Sequence, residues 1–212
     1  ILTNAEKALK QGEIRKITAP YPELKQISNH MDYETAIRLQ KINETRGRVV
    51  PISELKAELS RRKEIIRLGN ETISQLDKTK SAINKIESLH NRLEFIEIKL
   101  QSNLHNLKRL LKSGREEHAK LLKEKESIQT ALEKIGMSNK KDFQAFKEQY
   151  RESEKNRPVI QKGIEIATKD KDGISIDQLK GVIEGIHKAE RMQELEKKRQ
   201  KYRQNERELE LS

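Results

Sequence analysis

Asp170, Asp172 and Gly173 come nearest to a chemical spacing in this 212-residue chain. A calcium loop needs oxygen ligands at its first, third, fifth and twelfth positions, with glycine at the sixth. Placing Gly173 sixth puts Thr168 first and Leu179 twelfth, where a bidentate Glu is required. The stretch therefore reads as a turn, followed by Ser175 and Gln178 as the capping box of a last helix. The histidines are His30, His90, His105, His118 and His187, and no two stand four apart. With no cysteine either, the sequence predicts no metal centre. His90 and His118 fall on equivalent positions of a helical repeat. Polar residues there fix register more often than they hold a metal. No phosphate-binding glycine loop, nucleophile elbow or paired-carboxylate arrangement is present. The expectation is a non-enzymatic chain without catalytic residues, cofactor or small-molecule substrate.

Charge is the remaining signal. Lys and Arg number 45 against 34 Asp and Glu, a net charge of +11. Such a surplus attracts polyanions. The candidate nucleic-acid contacts are Arg46, Arg48, Arg61, Arg62 and Lys63, with Lys197, Lys198, Arg199, Lys201 and Arg203 near the C-terminus. These can neutralise phosphates without reading bases. Further basic groups are Lys108-Arg109 with Lys112 and Arg115, and Lys140-Lys141. Glu is interleaved in nearly all of them, so a plain solvated face is the competing reading of each.

The elements that would carry these charges are helical. Hydrophobic residues are 33% of the chain, charged residues 37% and aromatics 3%, with no Trp. That composition suits long helices better than a compact aromatic core. From Leu76 to Ile135, alternating steps of three and four visit eighteen positions, of which twelve are Leu or Ile: Leu76, Ile83, Ile86, Leu93, Leu100, Leu104, Leu107, Leu111, Leu121, Ile128, Leu132 and Ile135. This is an apolar seam of period 3.5, which winds a helix against a partner helix. The fold class expected is all-α, an elongated coiled coil with flanking short helices. Gly69-Asn70 is one possible break and Ser113-Gly114 a second. The 3–4 count crosses Gly114 without a slip, which favours one continuous helix; a hairpin turn at Gly114 is the alternative.

Four segments follow: 1–52, short helices and a linker; 53–135, the long coiled-coil segment; 136–169, short helices; 170–212, a C-terminal helix. In the first, residues 1–12 are expected to be a short helix or the end of one, with Thr3 and Glu6 as a capping box and Gly12 as its stop, residues 13–31 to be irregular, and Asp32 to cap a helix to about Glu44. Ser53 is expected to cap the long segment and Ser138 the next helix. Phe143, Phe146 and Tyr150 share one stripe there and read as a local core. The last helix is expected to reach about Leu211 and to be almost wholly polar beyond Leu195. No run of 18 apolar residues exists, so no membrane span is expected. The absence of cysteine suits a reducing, cytoplasmic setting. A chain that begins with Ile1 and carries no signal peptide reads as a piece of a longer protein.

Leu39-Gln40-Lys41-Ile42-Asn43-Glu44-Thr45-Arg46-Gly47-Arg48, with the Lys/Glu/Ile texture of residues 32–212, resembles the helical region that follows the nuclease domain in Gram-positive conjugative relaxases. The histidine cluster and catalytic tyrosine of that family's nuclease domain have no counterpart here, so no catalytic residue carries over. The resemblance implies an accessory part that holds DNA or docks other transfer proteins. The expected partners are another coiled-coil helix, in the same chain or a second copy, and DNA. The competing class is a pure protein–protein scaffold, phage-structural or cytoskeletal in kind.

Overall fold

The computed structural model describes residues 3–210, so the expected helix ends at Ile1 and Leu211 lie outside the described residues. The fold is all-α: nine helices and no strand occur among the described residues. They are α1 Asn4–Thr18, α2 Pro22–Lys25, α3 Tyr33–Arg46, α4 Ile52–Gln101, α5 Asn103–Lys108, α6 Lys112–Lys134, α7 Lys140–Glu154, α8 Arg157–Thr168 and α9 Ile176–Glu210. The chain divides into two compact units, one of residues 1–68 with 162–212, the other of 69–161. This differs from the four consecutive segments expected. The segment 53–135 is shared between the units, and the two ends of the chain belong together.

In the first unit, Thr3 and Glu6 close the expected capping box. Gly12 does not stop the helix, because α1 continues to Thr18 and buries Ile14. A single glycine weakens a helix by about 1 kcal/mol, which the apolar contacts of Ile14 can offset. Pro22 occupies the first turn of α2, where its missing N–H leaves no helical bond unmade. Asp32 caps α3 by accepting from the Thr35 amide at 2.7 Å. Gly47 ends it with φ 63°, a left-handed C-cap that favours glycine. Asn43 Oδ1 accepts from Tyr21 Oη at 2.9 Å and from the Val50 amide at 3.0 Å, pinning the turn into α4. Helix α4 begins at Ile52, one residue before the expected cap Ser53. Leu39, Leu55, Leu179, Val182 and Ile186 form the centre of this core. Gly185 lets α9 approach α3 closely, since a Cβ there would overlap the buried Thr35 side chain.

In the second unit the long seam folds back on itself. Helix α4 passes through Gly69-Asn70 unbroken. It ends at Gln101, where Ser102 turns extended (ψ 137°) and its hydroxyl accepts from the His105 amide. The chain then reverses through α5 into α6. Ion pairs fix the direction: Lys99–Glu117 at 2.6 Å, then Arg92–Glu124 at 2.6 Å further from the turn. Helix α7 also runs antiparallel to α4, through Glu94–Lys140, Glu87–Lys147 and Asp77–Arg157. Each step back along α4 in that series is matched by an equal step forward from α7 into α8. Ile83, Ile86, Ile96, Leu121, Ile128, Leu132 and Phe143 form the core between these helices.

The expectation of a continuous helix is thus overturned, and the hairpin alternative holds with its turn just before Gly114 rather than at it. The reversal occupies residues 102–111, and Gly114 lies in the first turns of α6. The unbroken 3–4 count is a coincidence of leucines that do not share one face. Leu104, Leu107, Leu111 and Ile135 leave the seam and are exposed. Leu76 is buried, and Leu93 and Leu100 pack at the edge of the core. Helix α7 is capped by Asn139, which accepts from the Lys141 amide, rather than by Ser138. Phe143, Phe146 and Tyr150 do form a local core.

Gly114 has no left-handed φ. It is required for space instead, because a Cβ there would fall on the Lys108 backbone carbonyl. Gly114→Ala should therefore destabilise by about 1–3 kcal/mol, the usual range for overpacking. Circular-dichroism melting checks the sign. A raised midpoint would show that the backbone does not close so tightly here.

Candidate functional site

The basic residues singled out by sequence fall into three environments. Arg62 is nearly buried, its side chain 5% exposed, and it pairs with Glu58 and with Asp170. Its second nitrogen donates to the Ile174 carbonyl at 2.8 Å. Arg46 donates to Glu58 at 3.0 Å and to Asp170 at 2.7 Å. Its Nε lies 3.3 Å from Asp172 Oδ2 but without hydrogen-bond geometry.

Asp170 organises this cluster. One carboxylate oxygen accepts from the amides of Asp172 (3.1 Å) and Ile174 (2.8 Å), closing the turn whose Gly173 has φ 82°. The other receives the two arginines. Burial opposes ionisation of Asp170. The Ile174 amide and the Arg62 and Arg46 charges outweigh it and hold the carboxyl below the usual aspartate range. The turn-and-cap reading of this stretch therefore holds: Ser175 and Gln178 exchange their capping bonds at 2.7 and 3.2 Å.

A cleft of about 470 Å³ lies beside these groups. Four cations (Arg46, Arg61, Arg62, Lys171) and four acids (Glu54, Glu58, Asp170, Asp172) line it. Its charges balance, so it offers an incoming phosphate no net attraction. Arg46 and Arg62 are occupied with internal carboxylates, which takes them out of the exposed cationic surface. Arg48, half-exposed, is paired with Glu54. Sequence reasoning missed this cluster, although Glu58 and Arg62 at i, i+4 were one visible half of it.

Arg61 and Lys63 form the second environment: both are exposed, and Arg61 also lines the cleft. The third is the end of α9. Lys197, Lys198, Arg199, Lys201 and Arg203 are all exposed, as is every described side chain from Glu194 to Glu206. None of these five makes an ion pair among the described residues. No acid occurs from Lys197 to Asn205.

The histidines do not converge. His90 is buried with Nε2 3.0 Å from the Met137 carbonyl oxygen and its ring stacked on Phe143. It holds the junction of α6 and α7, a register role. His105 and His118 meet edge to face, ring centroids 5.2 Å apart. Burial first, then the Arg109 and His105 charges, hold His118 below the usual histidine value. His30 contacts Glu196 at 2.9 Å, and His187 is exposed. No cluster of three or more His, Cys, Asp or Glu suited to a metal occurs among the described residues. No helix among them is long and apolar enough to cross a membrane. Compared with protein-family models, with curated proteins and with solved structures, the chain matches none.

Proposed function

We propose that this chain is a non-catalytic helical interaction module that holds nucleic acid without reading its sequence. The contact is made by the C-terminal half of α9. In a relaxase setting it would be the accessory region of a DNA-mobilisation protein. One observation carries the reading. Five cations stand within seven residues of helix, fully in solvent, with neither an acidic neighbour between them nor an ion-pair partner. By contrast Arg46, Arg48 and Arg62 of the same unit are neutralised by Glu54, Glu58 and Asp170.

Phosphate neutralisation releases condensed counterions, so affinity should fall steeply with salt. Five contacts at about −0.9 each give a log–log slope of up to about −4.5 on duplex DNA. No base-stacking array accompanies the charges, and the aromatics Phe143, Phe146 and Tyr150 are committed to a core. Binding should therefore be indifferent to sequence. Fluorescence anisotropy with two unrelated duplexes, titrated from about 50 to 200 mM salt, tests this. Replacing the five α9 cations with Gln should flatten the slope and leave helicity unchanged, since all five are exposed. A folded chain that binds neither duplex at low salt would remove nucleic acid and leave the scaffold reading.

A further inference from the structure

The turn end of the α4–α6 hairpin leaves four leucines in solvent. Leu104 and Leu107 lie on α5 and are 66% and 65% exposed; Leu110 and Leu111, in the turn that follows, are 79% and 63% exposed. Single exposed leucines are ordinary, but four crowded into eight residues are not. The acids vanish over the same stretch. Between Glu97 and Glu116 there is no Asp or Glu, in a chain with 34 of them among 212 residues. Lys108, Arg109, Lys112 and Arg115 are exposed there and make no ion pair among the described residues. Lys99 at the margin pairs with Glu117. The hairpin thus ends in an apolar knot surrounded by unneutralised positive charge.

We propose that this tip docks on an anionic lipid surface, with the leucines seated at the headgroup–acyl boundary and the cations on the lipid headgroups. The combination is what interfacial binding requires: apolar side chains to enter a few ångströms and basic residues to meet negative lipid. Other occupants fit less well. A nucleic-acid backbone would use the charge but gain nothing from four leucines. A second tip would bring like charges together around them. A groove built for a helix would expect an apolar stripe along several turns. Here the leucines crowd a single reversal, a footprint suited to a planar surface. Insertion stops at the interface, because no described helix can cross a bilayer.

The chain contains no Trp, so Leu107→Trp introduces one unambiguous reporter. The probes are vesicles of phosphatidylcholine alone and vesicles with a third phosphatidylserine. Indole emission should shift to the blue only with the anionic vesicles, and lipid brominated in the acyl chain should quench it. Duplex DNA should leave the emission unshifted. In sedimentation with the same vesicles, Leu104→Ser with Leu107→Ser should weaken binding at least about tenfold, as expected for two lost insertions. Both sites are exposed, so the helical signal should not change. The five-Gln variant of α9 should bind the anionic vesicles as the parent does. Equal binding to both vesicles, binding to neither, a blue shift with DNA, or retention by the double serine variant would each overturn the proposal. So would loss of vesicle binding in the α9 variant alone, which would move the lipid contact to that helix.

Discussion

Asp170→Ala is expected to lower the stability of the first unit by about 3–5 kcal/mol, the range for removing one partner from a buried charge cluster. The side chain is only 14% exposed and receives both Arg46 and Arg62. Its loss leaves two guanidiniums, one of them nearly buried, to share Glu58 as their one carboxylate in the cluster core, and also opens the turn held by the Asp172 and Ile174 amides. Hydrogen exchange read by mass spectrometry is the suitable probe. Protection should fall across residues 3–68 and 162–206, while 69–161 keeps its own. Wild-type protein should show a related pH dependence. The folded carboxyl is held below the ordinary aspartate value of about 3.9. The stability it contributes is therefore complete above roughly that pH, and is lost as pH falls through the lower folded value. An Asp170→Ala protein as stable as wild type would show that the arginines are solvated rather than committed to this carboxylate.

Leu132→Ala and Leu107→Ala should part company sharply, although both belong to one heptad count. Leu132 is fully buried among Ile83, Ile86 and Leu121. Truncating it removes buried surface and leaves a cavity, at a cost of about 2–5 kcal/mol. Leu107 is 65% exposed, and its truncation should stay within about 0.5 kcal/mol of zero. Urea denaturation of the two variants reads both numbers. Similar losses would mean that the seam runs through the turn after all, and that α5 is part of a longer pairing surface.

That contrast marks where sequence reasoning reached and where it stopped. The 3.5-residue period identified the helices of the second unit and most of their buried residues, because burial against another helix demands that spacing. Period alone carries no information on direction. A helix that turns back and one that continues bury their seams equally well, and the leucines at the tip happen to keep the count. The reversal depends on short-range bonds, the Ser102 hydroxyl on the His105 amide and the bare Cα of Gly114 against Lys108. The ends of α3, the turn at Asp170 and the cap at Ser175 were legible because each is written within a few consecutive residues. The Arg46–Asp170 and Arg62–Asp170 contacts were not, since they join residues 124 and 108 positions apart. Helical side-chain rules extend only about one turn. The charges of Lys197 to Arg203 keep the solvated placement that their polar surroundings implied.

The Arg62–Asp170 contact closes a loop, and the second unit lies inside that loop. A flexible loop of such length carries an entropy penalty that grows with the logarithm of the residues left free. Within the second unit, Asp77 and Arg157 are already joined at 2.7 Å, close to where the chain enters and leaves it. Once that contact exists, the unconstrained chain between Arg62 and Asp170 shrinks to about 26 residues, which lowers the closure penalty by about 1 kcal/mol. The second unit therefore acts as an entropic clasp: by gathering its own two ends, it shortens the excursion the chain must make before Asp170 can find its arginines.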